Sequence, residues 1–175
     1  WANCTVSSTP IQAALDFAAT HIPDDRTIYV AGGVFTENVR LDGLNGLTLR
    51  GSADGNPTII AGSVSILNSS EVTLANSIIN DGIQINNSRN VSVVGTDQDD
   101  QLRLTLTDAE NVTIDGGAGN DTLTLGGANV RGWLRVLGGA GDDVLTMDNS
   151  LGVVIPLSAG LFFDGGPGFD SLALR

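Results

Sequence analysis

One ten-residue phrase recurs through the second half of this chain. It reads GTDQDDQLRL from Gly95, GGAGNDTLTL from Gly116, GGAGDDVLTM from Gly138 and GGPGFDSLAL from Gly165. Successive first glycines lie 21, 22 and 27 residues apart. Each copy follows a short run of alternating apolar character, NVSVV, NVTID, WLRVL and LFFD. A period near twenty residues, made of short strands and turns, fits a solenoid in which each repeat forms one rung and buries its apolar side against the next. The expected fold is therefore all-β: a right-handed parallel β-helix.

The register sharpens this expectation. Side chains alternate faces along a strand. Counted from the glycines, Val93, Ile114, Val136 and Phe163 share one position, and Val91, Val112, Leu134 and Leu161 share another. After the loop come Leu102, Leu123, Leu145 and Leu172, then Leu104, Leu125, Met147 and Leu174. These four columns should stack inside the coil. The residues between them are mostly polar and should face out; Phe162 and Ala173 depart from that pattern. An antiparallel sandwich would explain the alternation but not a common phrase held in one register.

The chain of 175 residues reads as a single domain, 1–175. A lead-in covers residues 1–8, a helical segment 9–22, degenerate rungs 27–90, and rungs with glycine and aspartate loops 91–175. Thr9 before Pro10 is a good helix start. Ile11, Ala14, Leu15, Ala18 and Ala19 follow at helical spacing, so an N-terminal capping α-helix is expected from about Pro10 to about His21. His21 is the lone histidine and suits a helix C-terminus. In the degenerate rungs Leu47 and Leu49 lead to Gly51, Val72 and Leu74 lead to Asn76, and Ile83 and Ile85 align with Leu102 and Leu104. At about 22 residues per rung there is room for about seven rungs. Asn68, Asn86, Asn87, Asn90 and Asn111 crowd the rung corners. Several stand in Asn-x-Ser/Thr triplets such as Asn90-Val91-Ser92. They read as turn asparagines, suited by side-chain hydrogen bonding and tolerance of left-handed backbone, rather than as glycosylation sites.

Composition bounds function. Net charge is −12. All eight basic residues are arginine, and the acids are 17 Asp against 3 Glu. Eleven of the Asp lie beyond residue 96, beside the glycine phrases, where short carboxylates serve turns and oxygen-rich cation sites. This balance argues against nucleic acid and against anionic membrane surfaces as partners, and no apolar run is long enough for membrane insertion. Cys4 is the single cysteine, so no internal disulfide forms, though an intermolecular one is conceivable. One histidine without an evident partner leaves no Ser-His-Asp or Cys-His set. Arg103 and Arg135 face outward without an acid–base pair, so an enzyme is not expected.

Two resemblances follow. PIQAALDFAA, TIYVAGGVFTENV, LTLRGS and NPTII resemble the opening of pectin-lyase-like right-handed parallel β-helix proteins, over about residues 9 to 60. That opening carries fold more than activity, since it occurs on lyases, epimerases, adhesins and phage spikes alike. GGAGND, GGAGDD and GGPGFD resemble the repeats-in-toxin calcium motif G-G-x-G-x-D-x-U-x, with Leu123, Leu145 and Leu172 in the U position. The resemblance implies Ca²⁺ between stacked loops, with Asp121, Asp143 and Asp170 as ligands and carbonyls from Gly117, Gly119, Gly139 and Gly141. GTDQDD lacks the glycines, yet Asp97, Asp99 and Asp100 could contribute, Asp100 above all. The family motif recurs every nine residues on both sides of a roll; here one copy falls in each rung, on one side only.

The expected function is a non-catalytic, calcium-stabilised structural β-helix, secreted or on a cell surface, as a rigid module of an adhesin, matrix protein or fibre. The alternative is a β-helix that binds or degrades polysaccharide. The chain begins with a helix and stops at DSLALR, after the strand of a glycine phrase, so subunits joined end to end, or a fragment of a longer solenoid, are both expected possibilities.

Overall fold

The computed structural model describes residues 8–21, 26–128, 130–148 and 160–175. Cys4, most of the 1–8 lead-in and the Pro23-Asp24-Asp25 segment lie outside the described residues. The chain is an all-β parallel solenoid with one N-terminal helix; its seven stacked rungs make about six turns from first to last. Its first three rungs carry three strands each: β1 (Arg26–Tyr29), β2 (Gly33–Phe35) and β3 (Val39–Asp42); β4 (Asn45–Arg50), β5 (Thr58–Ile60) and β6 (Val64–Leu67); β7 (Ser70–Ala75), β8 (Ser77–Ile79) and β9 (Ile83–Asn86). The later rungs carry two: β10 (Arg89–Val94) and β11 (Gln101–Thr107); β12 (Glu110–Ala118) and β13 (Thr122–Ala128); β14 (Arg131–Ala140) and β15 (Val144–Met147); β16 (Leu161–Asp164) and β17 (Ser171–Leu174).

These strands build two seven-stranded sheets. The first runs β1-β4-β7-β10-β12-β14-β16 and the second β3-β6-β9-β11-β13-β15-β17. A short sheet, β2-β5-β8, flanks only the early rungs. Every pairing is parallel. Val112 lies between Val91 and Leu134, and Leu123 between Leu102 and Leu145, as the glycine register requires. An antiparallel sandwich is thereby excluded. Val91, Val93, Val112, Ile114, Leu134, Val136, Leu102, Leu104, Leu123, Leu125 and Leu145 are all buried. In the last described rung the same columns open: Leu161 and Phe163 are half-buried, while Leu172 and Leu174 are exposed.

Two details of the sequence register need correction. Ile83 pairs with Leu104 and Ile85 with Leu106, a shift of two residues from the alignment on Leu102 and Leu104. The cause is the change in cross-section. The rung before closes through the extra strand β8, whereas the next passes straight through its loop into a longer strand, β11. Arg103 stands beside Gly82, so Leu102 falls over the β8–β9 turn. The corner asparagines also divide. Asn68, Asn87, Asn90 and Asn111 have left-handed backbone, φ 46° to 54°, but Asn86 is extended and exposed at the end of β9.

The helix α1 (Pro10–His21) closes the first rung, burying Ile11, Leu15 and Ala18. Two side-chain devices seat it. The buried Glu37 carboxylate accepts the N–H groups of Ile11 (3.0 Å) and Gln12 (2.9 Å), which have no partner inside a helix. The Gln12 amide accepts the Arg40 N–H at 2.7 Å and donates to the Arg40 carbonyl at 3.1 Å. It thus pairs with β3, the first strand of the second sheet, as a neighbouring strand would. At the other end of the helix His21 Nδ1 meets the Phe17 carbonyl, and its ring stacks on Phe17.

Because Leu123 is fully buried and held in register between Leu102 and Leu145, a truncation has little room to collapse. Leu123→Ala should cost ~2–5 kcal/mol in chemical denaturation, while its outward neighbour Thr124→Ala should stay within about 0.5 kcal/mol.

Candidate metal centre at the aspartate corner

The four glycine phrases form the corner that joins the first long sheet to the second. Their last aspartates, Asp100, Asp121, Asp143 and Asp170, stack one per rung. Asp100, Asp121 and Asp143 are buried; Asp170 is half-buried. One carboxylate oxygen of each of the last three bridges two rungs. Asp121 Oδ1 accepts the Asp100 N–H (2.8 Å), Asp143 Oδ1 the Asp121 N–H (2.8 Å) and Asp170 Oδ1 the Asp143 N–H (3.0 Å). Each of these three side chains therefore ties its rung to the one before.

A second ladder runs beside it. Asp99 Oδ1 accepts the Asn120 N–H, Asn120 Oδ1 the Asp142 N–H and Asp142 Oδ1 the Phe169 N–H, at 2.7, 2.8 and 2.9 Å. These side chains reach forward, whereas the inner ones reach back. Sequence reasoning missed this outer ladder. Its trace is visible nonetheless, since Asp or Asn precedes the last Asp in three of the four phrases.

The second carboxylate oxygens behave differently from rung to rung. Asp100 Oδ2 accepts both the N–H (2.6 Å) and the hydroxyl (3.0 Å) of Thr96. Asp121 Oδ2 and Asp143 Oδ2 are buried with no hydrogen-bond partner. The glycines explain where they point. A Cβ at Gly116 would collide with both Asp121 Oδ2 and the Gly138 carbonyl oxygen; one at Gly138 would collide with Asp143 Oδ2 and the Gly165 carbonyl oxygen. In each case the carboxylate oxygen and the carbonyl oxygen both crowd the glycine α-carbon. The Gly165 carbonyl also accepts the Gly139 N–H at 3.0 Å, whereas the two carboxylate oxygens have no donor. A buried acceptor without a donor is costly, and a proton or a cation reaching it would offset that cost.

The remaining glycines keep the corner open to backbone oxygens. Gly117, Gly119, Gly139 and Gly141 have φ between +110° and +136°, a region in which L side chains are strained. The Gly117 carbonyl faces the α-carbon of Gly139, that of Gly139 faces Gly166, and those of Gly119 and Gly141 face Gly141 and Gly168. All four carbonyls thus lie in the space between rungs. The Thr96 carbonyl receives an N–H from Ala118 (3.1 Å), but two rungs on the equivalent residue is Pro167, which has no N–H for Gly139. Among the described residues no three His, Cys, Asp or Glu side chains gather where they could hold a metal together. Any cation here would take one carboxylate per rung and complete its shell from backbone carbonyls and water, a donor set of the all-oxygen kind that Ca²⁺ accepts.

The electrostatics agree with the geometry. Burial raises Asp121 from 3.8 to about 6, and the neighbouring Asp100 and Asp143 charges push the same way. Burial likewise raises Asp143 and Asp100, the latter against the opposing Thr96 hydrogen bonds.

No family model matches the chain, and no similar curated protein or solved structure was found. Among the described residues no helix is long and apolar enough to cross a membrane.

The raised carboxyl of Asp121 has a signed consequence in metal-free buffer. Its folded-state value lies above the unfolded one, so between about pH 4 and pH 6 the folded state holds a proton that the unfolded state lacks. That contribution is fully present below about pH 4 and is lost as pH rises through about 6. In EDTA, thermal melts from pH 4 to pH 7 should show wild type losing ~2 kcal/mol more than Asp121→Asn. The amide keeps an oxygen for the Asp100 N–H and offers an N–H to the Gly138 carbonyl.

Proposed function

We propose that this chain is a non-catalytic structural solenoid, rigidified by Ca²⁺ at the aspartate corner, serving as a module of a secreted or surface-displayed adhesin, matrix protein or fibre. The observation that carries the reading is the pair of buried, partnerless oxygens, Asp121 Oδ2 and Asp143 Oδ2, each packed with a carbonyl of the following rung against a glycine α-carbon. The two carboxylates sit one rung apart, about 4.8 Å along the stack, with no arginine in either loop. A divalent cation relieves both the repulsion and the missing partners. Asp170 and the carbonyls of Gly117, Gly119, Gly139 and Gly141 are the further ligands this reading would draw on. What the ion supplies is charge neutralisation and cross-bridging of rungs; the chain supplies a preformed, water-poor corner on a stiff stack. Extracellular calcium levels suit sites of modest affinity, which is consistent with export.

A ligand that binds only the folded state adds ~2.7 kcal/mol at a hundred times its Kd. Calcium should therefore raise the melting temperature above that in EDTA, and Asp121→Ala combined with Asp143→Ala should remove most of the increment. Identical melts with calcium and with EDTA would exclude the reading.

A polysaccharide-binding role has one observation in its favour. The corner opposite the aspartates holds a polar groove of about 310 Å³ along the stack, lined among others by Asn68, Ser70, Asn87, Arg89, Glu110 and Arg131. Amides, hydroxyls and charges of both signs are the groups that hydrogen-bond sugar hydroxyls. On a glycan array, saccharide binding by wild type that is lost in Arg89→Ala with Glu110→Ala would support this role; a blank array would remove it.

A further inference from the structure

We propose that the cation array is two ions long and begins at Asp121, because the Thr96 hydroxyl and N–H take in the first loop the place a cation takes in the next two. This rests on the calcium reading and specifies where and how often it applies.

Each site needs a buried carboxylate oxygen without a donor and the carbonyl of the first glycine in the following loop. Asp121 with Gly138 meets both conditions, and so does Asp143 with Gly165. Asp100 meets only the second. A Cβ at Gly95 would collide with Asp100 Oδ2 and the Gly116 carbonyl oxygen, so the same pair of oxygens crowds that α-carbon. Yet Asp100 Oδ2 already accepts two hydrogen bonds, from the Thr96 N–H and from Thr96 Oγ1. The hydroxyl is oriented for this, because Thr96 Oγ1 also accepts the Gln98 N–H at 3.2 Å and so directs its own hydrogen to the carboxylate.

The substitution is specific to this loop. Thr96 stands where the later phrases have Gly117, Gly139 and Gly166. Those glycines have φ of +110°, +118° and +90°, whereas Thr96 does not enter the left-handed region. With that backbone, neither Gly117 nor Gly139 serves Asp121 Oδ2 or Asp143 Oδ2 as Thr96 serves Asp100. Threonine therefore does two things at once: it keeps the loop in a conformation that aims its N–H at the carboxylate, and it adds a hydroxyl donor. The first loop is closed from within, and the following two are left for a cation.

The count of bound calcium tests this. Wild type, Thr96→Ser and Thr96→Gly are equilibrated with calcium at saturating concentration, and bound metal per folded chain is read by equilibrium dialysis with atomic emission. Two ions are expected for wild type and for Thr96→Ser, which keeps the hydroxyl, and three for Thr96→Gly. Should Thr96→Gly not fold by circular dichroism, Asp121→Asn and Asp100→Asn carry the count instead: the first should bind one ion and the second should keep two. A Thr96→Gly chain that folds and still binds two, or an Asp100→Asn chain that binds one, overturns the role of Thr96 while leaving calcium binding intact. A wild-type count of one or three overturns the two-ion array. A wild-type count of zero overturns the calcium reading itself.

Discussion

Parallel stacking in register is the constraint on which everything else depends. It places each side chain directly over its counterpart in the next rung, about 4.8 Å away, whatever its chemistry. For Val and Leu columns that is favourable: apolar area is buried against like area, as with Leu102, Leu123 and Leu145. For asparagine it is also favourable, because an amide both donates and accepts. Asn111 Nδ2 donates to Asn90 Oδ1, and Asn87 Nδ2 to Asn68 Oδ1. For aspartate it is not, because a carboxylate only accepts. The corner satisfies one oxygen of Asp121, Asp143 and Asp170 with a backbone N–H from the preceding rung. The second oxygens of Asp121 and Asp143, without a partner, set this corner apart from the asparagine corner.

The rest of the molecule shows how a solenoid handles exposed polar edges without ions. At the helical end, Glu37 caps the first N–H groups of α1 and Gln12 takes the place of a strand beside Arg40. On the outer face of β14 and β16, Arg135 lies over the Phe162 ring at 5.5 Å to its centroid. That contact explains why an aromatic residue stands at an outward position: it covers, and is covered by, the cation next to it. These devices are each complete within the chain. The aspartate corner at Asp121 and Asp143 is not.

Much of the fold was legible because the glycine phrase marks absolute register. Once Gly95, Gly116, Gly138 and Gly165 are aligned, the columns on either side follow by counting, and the structure pairs them so. Legibility failed where no phrase marks the corner. The short sheet rests on three strands of three residues each, too brief to show a period, and its end at β8 shifted Ile83 and Ile85 by two positions. In the candidate site, the column Asp100, Asp121, Asp143 and Asp170 could be read from spacing alone. Which of their oxygens lacks a partner could not. That depends on the backbone angle at one residue per loop, and only the replacement of glycine by Thr96 hinted in the sequence that one corner differs.

On the proposed reading, the partnerless carboxylate oxygens also fix what calcium would compete with. A proton can satisfy a buried carboxylate, and burial with the neighbouring carboxylates pushes Asp121 up to about 6. At pH 7 that value leaves roughly one site in ten protonated. The remainder would carry a buried charge facing a carbonyl dipole of the wrong sign. In acid the proton suffices, and a cation adds little. Near neutrality the proton leaves, and any cation that fits is favoured by the full penalty the proton no longer offsets. On the proposed reading the same geometry that destabilises the empty corner at neutral pH is the source of its affinity. A calcium requirement that weakens toward pH 5 is then a property of the stacked aspartates themselves, not of any separate switch.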